Sequence, residues 1–161
     1  MQHRLTYDFR SREFARRVTN FRGDRSPYAN NEPSNHDPDN HGTAVAGIAA
    51  GQNHGVAPWA NIVNVKVHGT GGMSQLALTN ALSDIIDQHV SMRSNPRQNA
   101  LGYPWRGSVI NLSAGAVHSV SHTSAYRMVL ERAAAEGIRE CKGSLYLCCT
   151  HDIGRRLTGT P

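Results

Sequence analysis

Between residues 43 and 138, β-branched runs of strand length alternate with segments of helical period, and this alternation restricts the fold more than any other feature of the chain. The run A-N-I-V-N-V-K-V, residues 60–67, carries Ile62, Val63, Val65 and Val67, side chains that suit a buried strand. S-V-I-N-L-S-A-G, residues 108–115, is a second such run. Ahead of both lies T-A-V-A-G-I-A-A, residues 43–50, small or apolar on nearly all sides. It predicts a helix packed closely against its neighbours and stopped by Gly51. Ser74 is placed to cap a helix over 75 to about 89, in which Leu78, Leu82, Ile85 and Ile86 share one face. Another helix is predicted from about Ser124 to Glu136, with Met128, Val129 and Ala133 inward and Gly137 as its stop. Strands and helices in this order predict an α/β fold with a mostly parallel sheet, whose functional groups gather at the carboxyl ends of the strands.

Composition narrows the function classes. A chain of 161 residues has the length of one domain. Its net charge of +5 is dispersed: Arg4, Arg10, Arg12, Arg16, Arg17, Arg22 and Arg25 are interleaved with Asp8, Glu13, Asp24 and Glu32, and aromatics are few. That pattern predicts a solvated mixed-charge surface and no nucleic-acid partner. No stretch reaches the roughly 20 apolar residues that span a bilayer, and the first residues, M-Q-H-R-L-T-Y-D-F-R, lack the apolar segment of a signal peptide, so no membrane partner is expected. The three cysteines, Cys141, Cys148 and Cys149, are odd in number with one adjacent pair, which is not a disulfide framework. Residues 1–25 are Arg-rich with an extended-looking piece over residues 5–9, and S-P-Y-A-N-N-E-P-S-N-H-D-P-D-N reads as a loop.

Four blocks then fall in one order. H-G-T-A-V-A-G-I-A-A-G, residues 41–51, is followed by G-V-A-P-W-A, residues 55–60, by V-K-V-H-G-T-G-G-M-S, residues 65–74, and by V-I-N-L-S-A-G, residues 109–115. Together they resemble the subtilisin-like serine proteases around their catalytic histidine. The resemblance covers about residues 36–138 and implies part of a three-layer subtilisin-like fold. Three segments follow: an N-terminal strand and loop region, 1–35; a partial peptidase domain, 36–138; and a divergent tail, 139–161.

The resemblance makes His41 the general base, which takes the proton of a serine nucleophile and returns it to the leaving amine. An imidazole suits both steps because its ordinary pKa lies near 6.5. Gly42 and Gly47 are expected to let the helix approach the sheet closely. The second H-G-T, beginning at His68, falls in a turn that borders the substrate cleft in the family, so His68 repeats the letters without the role. Gly71 and Gly72 belong to that turn. Ser113, Ala114 and Gly115 match the strand whose backbone pairs with an extended polypeptide substrate, with Gly115 leaving room for a substrate side chain.

Two parts of the triad chemistry are not matched. The family's aspartate precedes its histidine. Asp8 lies at a suitable separation, but L-T-Y-D-F-R-S resembles instead a later family segment, which places the catalytic aspartate ahead of Met1 and leaves Asp8 the weaker candidate. After residue 138 the family continues to an asparagine that donates to the oxyanion and then to Gly-Thr-Ser. Here no asparagine follows Asn111, and the sequence closes on T-G-T-P. The chain by itself is therefore expected to hydrolyse no peptide. The alternative is a non-catalytic relative that binds peptide through residues 113–115, or a gene-model fragment.

Metal sites are weaker readings. His118 and His122, and the cluster Cys148, Cys149 and His151, lack a full zinc spacing. Asp37, Asp39 and Asn40 carry oxygens of the kind calcium takes, and the family often binds calcium, but the full calcium-loop pattern is absent and no cofactor is required. Family members are commonly secreted or vacuolar, and the sequence leaves the compartment undecided.

Overall fold

The computed structural model describes residues 14, 17–95, 105–113 and 124–142. Strand β1 (Val18–Asn20) lies parallel to β4 (Ile62–Asn64), with Val18 opposite Ile62 and Asn20 opposite Asn64. Between them come a small antiparallel hairpin, β2 (Arg25–Ser26) with β3 (Glu32–Pro33), and helix α1 (His41–Ala50). Helix α2 (Gln75–Ser94) leads to β5 (Val109–Leu112), and helix α3 (Ser124–Ala135) leads to β6 (Arg139–Lys142), which runs parallel to β5. Helices with parallel strand pairs make an α/β fold, in which the sheet is present, among the described residues, as separate two-stranded ladders.

The core forms between α2, α3 and the β5–β6 ladder. Leu78, Leu82 and Ile86 of α2 meet Ile110 of β5, Tyr126 and Ala133 of α3, and Ile138, all buried, with Ile85, Val90 and Val129 packed at its margin. The face predicted for α2 is the buried one. On α3 the inward face is rotated from the predicted one: Tyr126 is buried while Met128 is 66% exposed. Tyr126, Val129 and Ala133 follow each other by three and four residues, and Met128 points away from that stripe.

Helix α2 begins where Ser74 accepts a hydrogen bond from the Ala77 N–H, as expected, but it runs five residues past His89. The extra turn is held by Glu136, the residue after α3. His89, itself buried, sits with Nε2 3.1 Å from the Glu136 carbonyl, and Arg93 pairs with the Glu136 carboxylate at 2.6 Å. Arg132 of α3 reaches back to Asp87. The run over residues 60–67 is a strand for only three residues, because the chain then turns toward the hairpin: Ser26 Oγ donates to the Lys66 carbonyl. β6 lies in the segment 139–161 that the sequence sets apart as a divergent tail. It is aligned by Gly137, in the left-handed region at φ 80°, and by Ile138, which is buried and donates to the Ala133 carbonyl.

Candidate functional site around His41

His41 is the first residue of α1 and its side chain is exposed. The helix entrance is built without a cap from the adjacent residue. Asn40 adopts the left-handed conformation that asparagine tolerates, and its carbonyl accepts from the Ala44 N–H. The cap comes instead from Asp37, whose Oδ2 accepts the Thr43 N–H at 2.7 Å and the Thr43 hydroxyl at 2.6 Å. One carboxylate oxygen thus satisfies an otherwise orphaned first-turn donor and the side chain of a buried threonine. Its effect is to fix the direction in which the His41 backbone enters the helix.

The other end of α1 explains the G-V-A-P block. The chain doubles back so that Val56 N–H donates to the Ile48 carbonyl and Ala57 N–H to that of Ala49. A Cβ on Gly55 would lie 2.2 Å from the Gly51 nitrogen, so only glycine permits this return. Arg17 adds a donor to the Ala50 carbonyl at 2.8 Å. The close approach expected at Gly47 is not made by the described residues: a Cβ there would meet nothing within 4 Å. Ile48 is 66% and the neighbouring Trp59 89% exposed. A helix apolar on all sides ordinarily lies buried, whereas in α1 only Thr43 and Ala50 are buried.

The turn after β4 closes between Gly69 and Gly72, which exchange both backbone hydrogen bonds, with Gly72 at φ 89°. Glu32 of the hairpin reaches across to it. Its Oε1 accepts the Thr70 N–H at 2.6 Å and the Thr70 hydroxyl at 2.9 Å. Its Oε2 faces Lys66 Nζ at 3.5 Å, and Lys66 donates to the His36 carbonyl at 3.0 Å. These donations, led by the Thr70 backbone N–H, hold the Glu32 carboxyl below the usual carboxylate range. One polar network therefore joins the turn carrying Gly71 and Gly72 to the segment that leads into His41.

Ser113 follows the carboxyl end of β5, half-buried, with its hydroxyl donating to Asn111 Oδ1 at 3.2 Å. The structure thus joins the turn carrying Gly71 and Gly72, through Glu32 and Lys66, to the His36 carbonyl ahead of His41, while Ser113 bonds to Asn111 of β5. Asp8, Ala114 and Gly115 lie outside the described residues, as do His118, His122, Cys148, Cys149 and His151. Among the described residues, no three His, Cys, Asp or Glu side chains gather to hold a metal, and Asp37 Oδ2 is engaged by Thr43. No described helix is long and apolar enough to cross a membrane.

Sequence reasoning missed the roles of Asp37, Glu32, Lys66 and Thr70. Asp37 lies six residues before Thr43 and Glu32 thirty-eight before Thr70, separations that fit no local signature. The weak local sign was Asn30 and Asn31, both at positive φ, which turn the chain so that Glu32 faces the later glycines.

A scan against protein-family models matches the Subtilase family over residues 6–153, most of the chain. The chain belongs to this family, whose members are serine-type peptidases acting on polypeptides. Searches of curated proteins and of solved structures gave no match.

Proposed function

We propose that the chain carries the general-base part of a subtilisin-like serine endopeptidase. The observation that supports this best is His41 at the entrance of α1, beside the Asp37–Thr43 cap, with the His36 carbonyl ahead of it held by Lys66, the charge partner of Glu32. In the proposed reaction His41 takes the proton of a serine hydroxyl as that oxygen attacks the scissile carbonyl, then protonates the leaving amine. Gly71 and Gly72 on one side and residues 113–115 on the other offer backbone edges to an extended polypeptide, which pairs with them as an added strand. Asp8 is the weaker candidate for the triad carboxylate, because its sequence context belongs to a different part of the family pattern.

The nucleophile and the oxyanion asparagine have no counterpart in the sequence after Asn111. The 161-residue polypeptide alone is therefore expected to leave casein intact, and cleavage that disappears in His41→Ala would overturn that part of the proposal. The placement of the base is tested with a peptidyl chloromethyl ketone. Bound along the two edges, its CH2–Cl carbon meets the His41 imidazole; a ring nitrogen attacks, the C–N bond forms and chloride leaves. Peptide mapping by mass spectrometry is expected to find His41 modified ahead of the other exposed histidines among the described residues, His36, His54 and His68. Equal modification of all four contradicts the reading.

The edges do not depend on a serine. Measurable peptide affinity with no hydrolysis, together with no preference of the peptidyl reagent for His41, would favour the second reading, a non-catalytic relative that binds extended polypeptides.

A further inference from the structure

Glu32 is the side chain through which the hairpin, the turn after β4 and the approach to His41 meet. Its position is set from its own side: the Glu32 N–H donates to the Ala29 carbonyl at 3.0 Å, and Glu32 pairs with Ser26 in the hairpin. Ser26 in turn holds the Lys66 carbonyl. The hairpin thus grips both ends of residues 66–70, by Ser26 at Lys66 and by Glu32 at Thr70. The charges are largely covered, with side-chain exposures of 9% for Lys66 and 17% for Glu32. Gly69 is shaped to this contact, since a Cβ there would lie 2.9 Å from Glu32 Oε1. Without the carboxylate, a two-residue turn flanked by glycines has little of its own to fix it, because isolated hairpins of this size are marginal in water.

We infer that Glu32 is a positioning residue of the peptide-binding cleft: its carboxylate fixes the Gly69–Gly72 turn relative to the segment entering His41, and so sets where a bound peptide presents its reactive carbon to the imidazole. The inference rests on the reading of Gly71 and Gly72 as a substrate edge. Glu32 itself touches no substrate. Lys66 is the balancing charge, and the His36 carbonyl is the relay from Lys66 to the histidine-bearing segment.

The test compares two alkylating reagents on the same chain. A peptidyl chloromethyl ketone depends on the cleft, whereas chloroacetamide reports only the exposure and reactivity of His41. Glu32→Ala is expected to slow modification of His41 by the peptidyl reagent about tenfold, the scale of a lost charged hydrogen bond and a misplaced edge. Its chloroacetamide rate at His41 is expected to stay at the wild-type value. Glu32→Gln, which retains an acceptor for Thr70 but no charge for Lys66, is expected to fall between. Thr70→Val removes only the hydroxyl donor and supplies a milder variant should Glu32→Ala not fold. A peptidyl rate unchanged in Glu32→Ala and Thr70→Val overturns the inference while leaving the substrate-edge reading intact. Equal losses with both reagents also overturn it, by reducing Glu32 to general support of the fold. A wild-type chain whose His41 shows no preference for the peptidyl reagent removes the substrate-edge reading and the inference with it.

Discussion

The two halves of the molecule hold themselves together differently. From α2 to β6, aliphatic and aromatic side chains interlock: Ile86 is 0% exposed, and Leu78, Leu82, Ile110, Tyr126, Ala133 and Ile138 close around it. Before α2, Phe14, Phe21, Ala29 and Ala50 are buried as well, but around α1 polar ties take a larger share. Ile48, Val56 and Trp59 lie out in solvent, while the structure is tied by polar groups, with Asp37 on Thr43, Glu32 on Thr70 and Lys66, and Asn64 Nδ2 donating to Asn20 Oδ1 and the Ser34 carbonyl. Apolar packing is roughly proportional to area and tolerant of detail. Hydrogen-bonded ties are directional and fix positions. The ties next to His41, from Asp37 and Glu32, are of the directional kind.

The same kind of truncation in each half should therefore give opposite results. Ile86→Ala is expected to cost about 2–5 kcal/mol, through lost transfer energy and the cavity left behind. Urea denaturation followed by far-UV circular dichroism would measure it. Ile48→Ala, on the exposed face of α1, is expected to fall within about 0.5 kcal/mol of wild type. A large loss there would erase the contrast between the halves.

Asp37→Ala comes next in size. Losing an N-terminal cap costs typically about 1 kcal/mol, and the buried Thr43 hydroxyl loses its acceptor as well. The expected signature is a lowered melting temperature together with slower modification of His41 by the peptidyl reagent. A change in stability alone would confine Asp37 to a structural role.

The pH response follows from Asp84, whose carboxyl is held below its ordinary range first by the hydrogen bond from Tyr28 and then by Arg22. A carboxylate with a depressed folded-state pKa contributes stability that is complete above its unfolded value of about 4 and is lost as pH falls through the lower folded value. The melting temperature is thus expected to decline across that acid interval, and Asp84→Asn to flatten the decline. Glu32, held low by Thr70 and Lys66, acts in the same sense. The smallest expected effect is that of calcium. With Asp37 Oδ2 engaged by Thr43, added calcium should leave the melting temperature unchanged, and a clear rise would point to a site formed by Asp37, Asp39 and Asn40.

The packed half was largely legible in the sequence, because an apolar stripe at three- and four-residue spacing has one way to be buried. Periodicity fixes a stripe more firmly than its rotation, which is why Tyr126 faces inward in place of Met128. β1 and β6 were not legible. V-T-N and R-E-C-K carry no apolar run, and both are strands because a neighbouring backbone offers its hydrogen bonds. In the polar half the four family blocks located His41 and the glycine turn. The carboxylates that fix them act on partners six and thirty-eight residues away, which only the folded chain brings near.

The most direct test lies in the repeated tripeptide. His41 and His68 both open an H-G-T, and both are exposed. With chloroacetamide the two are expected to react at similar rates. With a peptidyl chloromethyl ketone, His41 is predicted to be modified at least about tenfold faster than His68, the advantage that a positioned reagent gains over a free one. Equal rates with both reagents, or a preference for His68, would contradict the assignment of His41 as the base beside the peptide-binding edges.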